Sequence, residues 1–229
     1  MTHWSDTLAV FDTETTGLDT RHARIVTCFL GVIGSDGEVQ ESHNWLANPG
    51  IEIPEQASAV HGVTTEMARE QGRDAAEVIG EIAERVAGYF AHNIPVVAYN
   101  AAYDFSILHH EMMRYGMTPL ADPRPIIDPL VIDRAVDTYR KGKRTLGMAA
   151  AHYLVALDDS HRADADAIAA GRVAQAILRA HAETLTGDAQ WLHDQQVEWA
   201  QAWAENYQKF RRGTGDPGFV ASGAWPVRS

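Results

Sequence analysis

Apolar residues follow two different periods along this chain, and the change from one to the other organises it. Residues 7 to 12, Thr-Leu-Ala-Val-Phe-Asp, form a short apolar run that ends in an acid and is followed by the turn-like Thr-Glu-Thr-Thr-Gly. That pattern predicts a buried strand with chemistry at its carboxyl end. Residues 25 to 33 and 38 to 46 are β-prone and separated by Gly34-Ser35-Asp36-Gly37, a hairpin signal. The chain is therefore expected to open with three strands, antiparallel after the first. From residue 55 the character turns helical: Val78, Ile79, Ile82, Val86 and Phe90 recur at three- and four-residue intervals among Glu77, Glu81, Glu84 and Arg85, which predicts an amphipathic helix. Pro95 to Tyr99 reads as a buried strand, about Ala101 to Tyr115 as a helix stopped by Gly116, and Pro125 to Asp128 as a further short strand. Helical segments over roughly 129 to 140, 145 to 154 and 163 to 181 complete an α/β order, a mixed sheet covered by helices. A boundary near Thr186-Gly187-Asp188 separates a main domain, residues 1 to 185, from residues 186 to 229, a C-terminal helix and a Gly/Pro-rich tail.

Composition changes this picture little. The 229 residues suit one domain plus an appendage, and 45% hydrophobic with 22% charged residues excludes a disordered or fibrous chain. A net charge of −12 argues against a protein that coats nucleic acid through diffuse electrostatics, although cations in an acidic pocket would reverse the sign locally. No apolar run approaches a bilayer span and the start lacks a basic segment with an apolar core, so no membrane role and a cytoplasmic location are expected. The lone cysteine, Cys28, sits in an apolar run and reads as a small core residue.

The candidate chemistry lies in acids. Asp12 and Glu14 are two residues apart at the end of the first strand, where the period of two points both to one side. Asn100-Ala-Ala-Tyr-Asp104 follows a buried strand; Asn100 is placed to cap the next helix, and Asp104 stands among Tyr103, Phe105, Ile107 and Leu108, where an unpaired carboxylate is costly. His161-Arg-Ala-Asp-Ala-Asp166 leads into a helix with an inner stripe of Ala163, Ala167, Ala170, Gly171 and Ala174, small enough for the helix to approach the sheet and bring Asp166 to the end of the first strand. Asp164 reads instead as a first-turn acid, and His161 taken alone as a surface histidine. Gathered carboxylates cannot all ionise without cations, and oxygen-only ligands select Mg²⁺ or Mn²⁺. Two such ions about 4 Å apart serve in-line phosphoryl displacement, so the cluster points to phosphodiester hydrolysis.

Phe-Asp-Thr-Glu-Thr-Thr-Gly-Leu, Tyr-Asn-Ala-Ala-Tyr-Asp and His-Arg-Ala-Asp-Ala-Asp-Ala, in that order, resemble the DEDDh exonucleases, the superfamily of the proofreading epsilon subunit of bacterial DNA polymerase III and of ribonuclease T. The resemblance spans roughly residues 7 to 181. It implies a ribonuclease H-like fold with a mixed five-stranded sheet, residues 1 to 185 as the exonuclease domain, and 3′-to-5′ removal of nucleoside 5′-monophosphates from single-stranded or frayed DNA. Asp12, Glu14, Asp104 and Asp166 would hold two divalent ions and His161 would act as general base. Substrate contacts would fall on Thr15, Leu18, His61, Asn100, Tyr103 and Phe105, with His61 at the 3′ end and Leu18 against the terminal base. Tyr99 and Tyr103 depart from the histidine and phenylalanine common at those positions, each adding a hydroxyl. Trimming of RNA 3′ ends and a non-catalytic nucleic-acid or polymerase-binding module are the alternatives.

The dense basic stretch from Arg134 to Arg144 suggests phosphate contacts at Arg140, Lys141 and Lys143, with a solvated helix end equally compatible. Trp199, Trp203 and Tyr207 form one helical stripe. Docking onto the main domain is the leading reading of that stripe, followed by a homodimer or protein-partner surface and then base stacking.

Overall fold

The computed structural model describes residues 3–157 and 162–228. A short 3₁₀ turn, Trp4–Asp6, leads into β1 (Thr7–Thr15), β2 (Ile25–Gly34) and β3 (Val39–Asn48). Two short helices, α1 (Glu55–His61) and α2 (Thr65–Gln71), precede β4 (Arg73–Asp74), α3 (Ala75–Ala91), β5 (Val96–Val97) and α4 (Ala102–Arg114). The chain continues through β6 (Ile126–Ile127), α5 (Pro129–Val136), α6 (Leu146–His152), α7 (Ala163–Ala180) and α8 (Ala189–Gly213). The sheet runs β4-β3-β2-β1-β5-β6. As the hairpin signal predicted, β1, β2 and β3 are antiparallel, whereas β5 and β6 run parallel to β1. Gly37, at φ 78°, makes the β2–β3 turn in a backbone region that a side chain disfavours. The five strands expected are extended by a sixth, β4, whose two residues pair with the end of β3 and carry too few side chains to leave a period.

β1 is central, and its alternation divides the core. Ala9 and Phe11 face one side with β2's Ile25 and with α3 and α4, while Leu8 and Val10 face the other with α7. Helices cover both faces, which is why this strand reads as a continuous apolar run. On the α7 side the stripe of small residues is buried as expected. A Cβ on Gly171 would lie 2.5 Å from Val10 Cγ1 and 2.6 Å from Ile33 Cδ1, so only glycine permits this approach.

The far edge of the sheet is closed by side chains. Among the described residues β6 has no strand outside it, and α8 takes that place. His193 Nδ1 accepts from Ile126 N at 3.0 Å, Gln196 Oε1 accepts from Asp128 N at 2.6 Å, and Gln196 Nε2 donates to Ile126 O at 3.0 Å. The C-terminal tail returns to the same place, with buried Trp225 donating from Nε1 to Asp128 Oδ2 at 3.3 Å and Arg228 N donating to Ser106 Oγ at 2.7 Å. No helix among the described residues is long and apolar enough to cross a membrane.

Candidate active site

Asp12 and Glu14 are partly buried on β1 and alternate with buried Thr13 and Thr15, so both carboxylates stand on one side of the strand. Asp104, in the first turn of α4, is 3% exposed. Thr13 holds it in place: the backbone N–H donates to Asp104 Oδ1 at 3.1 Å and the hydroxyl donates to the same oxygen at 2.8 Å. Asp166 sits in the first turn of α7.

The electrostatics show how close these groups are. Burial, then the charges of Asp104, Glu14 and Asp166, push the Asp12 carboxyl well above the carboxylate range. Glu14 is pushed up to about 7 by burial and then by Asp166. Burial pushes Asp104 up to about 7 against the lowering effect of its Thr13 hydrogen bonds. Three separate elements thus bring their acids within Coulombic reach at the end of β1. Among the described residues no group of three or more His, Cys, Asp or Glu side chains is already closed around a metal position; one Asp104 oxygen is turned to Thr13. The donor set itself fits a hard divalent cation, being carboxylate oxygen throughout and carrying repulsion that a cation would relieve. Cys28, opposite Thr13 on β2, is a buried core thiol, and burial raises its pKa.

A second buried acid, which the motifs did not reveal, fixes the start of α4. Asp128 accepts from Asn100 N and Ala101 N at 2.9 Å each and from Leu130 N at 3.0 Å, so it ties the loop before Asp104 to the start of α5. An acid at a strand end directly before proline was the available signal, since Pro129 opens α5 and Asp128 caps it. Asn100 itself does not cap α4. Its backbone is left-handed at φ 66° and its side chain makes no cap bond, because the residue preceding the helix is Ala101 and the carboxylate of Asp128 binds the loop amides instead.

The cleft beside Glu14 has a volume of about 350 Å³ and is also lined by His61, Asn44, Arg162 and Asp164. Burial lowers the His61 pKa, and its Nδ1 accepts from Val63 N at 3.2 Å. Leu18 is 91% exposed at the turn after β1. Both unusual tyrosine hydroxyls are used. Tyr103 OH donates to Gly17 O at 2.7 Å and is hydrogen-bonded to Thr15 Oγ1, while Thr15 Oγ1 also reaches Gly17 O at 2.8 Å, so the pair clamps the turn that presents Leu18. Tyr99 OH donates to Arg144 O at 2.8 Å and tethers the basic loop.

Two expected site residues lie elsewhere. Phe105 is not at a substrate surface: it is 2% exposed and packs edge-on against Phe11 at 5.5 Å and beside Phe90, because its position on α4 faces the sheet. Arg140 is not a free phosphate ligand either, since its guanidinium is bound to the buried Asp133 carboxylate and to Asp137. Arg144 and Tyr153 share Asp133 with it. Lys141 and Lys143, by contrast, are exposed. His161 lies outside the described residues.

Residues 9–174 match the RNase T family of exonucleases, a span that contains all of the motif acids. The chain belongs to the exonuclease family. Among relatives of this exonuclease-family chain, the DNA polymerase III PolC-type protein of Clostridium perfringens is 29% identical over 171 residues, covering 74% of this chain and 11% of that protein. The DNA polymerase III subunit epsilon-like protein of Rhodobacter capsulatus is 32% identical over 158 residues, covering 68% of this chain and 20% of that protein. The chain therefore spans a small part of the length of the curated relatives it matches. The zinc-bound E. coli ExoI–ssDNA complex superposes with a TM-score of 0.64 at 18% identity, over 77% of this chain and 41% of that one, which shows a shared fold. The DEDDh resemblance and the ribonuclease H-like α/β fold expected from the motifs are thus those found.

Proposed function

We propose that this chain hydrolyses phosphodiester bonds at the 3′ end of single-stranded or frayed DNA, releasing nucleoside 5′-monophosphates. The observation that carries the reading is the convergence of Asp12, Glu14, Asp104 and Asp166 from β1, α4 and α7, expressed in the raised pKa of Asp12. Oxygen-only donors under mutual repulsion call for hard cations. Asp12, Glu14, Asp104 and Asp166 would hold two divalent ions, Mg²⁺ or Mn²⁺, which when bound supply positive charge facing the scissile phosphate. His161 accepts the proton of the attacking water, a role for an imidazole whose ordinary pKa is about 6.5. Thr13 orients Asp104 through its two hydrogen bonds. Leu18 abuts the terminal base on a turn held by Tyr103 and Thr15, His61 reaches the 3′ end from the wall of the Glu14 cleft, and Lys141 and Lys143 meet phosphates farther along the strand.

The family match supports this direction of chemistry. The replication proteins among the relatives and the single-stranded DNA in the ExoI complex favour DNA over RNA as the substrate and the cytoplasm as its location. Incubation with Mg²⁺ or Mn²⁺ of linear and circular single-stranded DNA of one sequence, beside linear RNA, tests it. The linear DNA should shorten while the circle persists and RNA is cut more slowly. Cleavage of the circle at the rate of the linear strand would contradict the need for an end, and faster loss of RNA would reassign the substrate.

A further inference from the structure

The region between α5, α8 and the C-terminal tail encloses a hollow of about 230 Å³ that is separate from the carboxylate cluster. Its wall joins Trp199, Trp203 and Trp225 to Leu130, with Asp128, already engaged by backbone amides, and Arg228 also at the lining. Arg134 projects into it from α5, half-buried, with its guanidinium 3.9 Å from the centre of the Trp203 ring. Tyr207 stacks on the same tryptophan, at 5.0 Å and 18°. Among the described residues Arg134 has no hydrogen bond or ion pair, in contrast to Arg140 and Arg144, which are both bound to Asp133. Burial lowers its pKa, outweighing the opposing pull of the Asp128 carboxylate, which makes no direct ion pair with it. A second hollow of about 250 Å³ shares Arg134, Thr138 and Trp203 with the first and runs on to Gly142 and Arg144, beside the exposed Lys141 and Lys143. At its other end the first hollow reaches Asn100, in the loop that leads into the helix of Asp104.

These features specify a ligand with two parts. A guanidinium offers several donors in a planar fork suited to phosphate or carboxylate, and those of Arg134 are not hydrogen-bonded among the described residues. An inorganic anion would satisfy them but leave the tryptophan wall uncovered, and a purely apolar ligand would leave the cation unpaired. The volume falls below the roughly 300–1,000 Å³ of pockets for drug-sized ligands, which limits the apolar part to about one ring system. We propose that this hollow is a nucleotide subsite, in which the phosphate of one nucleotide unit pairs with Arg134 and its base enters against Trp199 and Trp225. The choice of a nucleotide among aromatic anions rests on the nuclease reading above. The unit is either part of a bound strand, led along the second hollow toward Lys141 and Lys143, or a free nucleoside 5′-monophosphate.

Binding of a fluorescent oligothymidylate and of deoxyadenosine 5′-monophosphate, measured in chelator so that no turnover occurs, tests the subsite on the full chain. Two variants are compared with wild type, each checked for an unchanged melting temperature: Arg134→Gln, which removes the cation, and Ala202→Leu, which narrows the hollow from α8 and keeps the Arg134–Trp203 stack. Both should weaken binding roughly tenfold or more, the scale of a hydrogen-bonded charge pair. Loss for the oligonucleotide alone identifies a strand subsite, and loss for the monophosphate alone identifies a free-nucleotide site. Unchanged affinity of both probes in Ala202→Leu overturns the proposal, even if Arg134→Gln binds more weakly through general charge loss. A wild type that binds at this hollow but degrades no strand would instead sink the nuclease reading and leave the subsite standing.

Discussion

Gln196, 68 residues from Asp128 in sequence, is fully buried and completes the outer edge of β6, so Gln196→Leu should weaken both fold and site. Leucine preserves approximate volume and removes every polar atom. The Asp128 N–H then loses its Gln196 acceptor and the Ile126 carbonyl loses the Gln196 donor. Each buried group left without a partner costs about 1–3 kcal/mol, for a combined loss of roughly 2–5 kcal/mol after leucine recovers some apolar contact. In a chain of this size each kcal/mol lowers Tm by about 2–4 °C, so a fall of roughly 5–15 °C is expected in a thermal melt. The effect should reach catalysis, because Asp128 holds the backbone of Asn100 and Ala101, and that loop aims Asp104. Nuclease assays well below the variant's Tm should therefore show a reduced kcat. An unchanged Tm would refute the edge-closing role of α8, and a lowered Tm with unchanged kcat would refute the link from Asp128 to Asp104.

Three further outcomes follow from the packing and charge. Gly171→Ala places a methyl 2.5 Å from Val10 and 2.6 Å from Ile33, and should lower stability by about 1–3 kcal/mol in a denaturant titration; an unchanged midpoint would show that α7 can back away from the sheet. Tyr103→Phe keeps the ring but removes the hydroxyl bound to Gly17 O and Thr15, so KM should rise severalfold with little change in kcat, whereas an equal fall in kcat would place the hydroxyl in the chemistry. Glu14 and Asp104 titrate near about 7 in the folded protein against 4.5 and 3.8 ordinarily, so the folded state binds their protons more tightly. Their contribution to stability is full below the ordinary carboxylate range and is lost as pH rises toward 7. In chelator, wild-type Tm should fall across that window more than the Tm of Asp104→Asn, and Mg²⁺ or Mn²⁺ should restore it at the alkaline end; parallel curves would contradict the assignment.

What the sequence revealed and what it concealed have physical causes. β1 and α7 were legible because a strand covered on both faces must be apolar and a closely approaching helix must carry small residues. The alternation of Asp12 and Glu14 likewise survives in any pleated strand. β5 and β6 showed as short apolar runs opened by Pro95 and Pro125, whereas β4, with only two residues, offers no period to count. The roles of Thr13, Asp128 and Gln196 depend on partners 91, 28 and 68 residues away, and no local pattern encodes such pairings. Asn100 and Phe105 were misplaced for a related reason. A residue before a helix resembles a cap until the backbone shows a left-handed turn served by a distant carboxylate, and an aromatic beside a motif acid resembles a pocket wall until the helix face is known. Arg140 was read as a free cation because Asp133 gives no sign in the sequence of being buried.

Support of 3′-end hydrolysis by the four acids is tested most directly by digestion of 5′-labelled single-stranded DNA with Mg²⁺ or Mn²⁺, alongside a chelator control and an Asp12→Ala control. A ladder of products shortened from the 3′ end with release of nucleoside 5′-monophosphates is expected, abolished in both controls. Equal cleavage by Asp12→Ala, or undiminished cleavage in chelator, would contradict it.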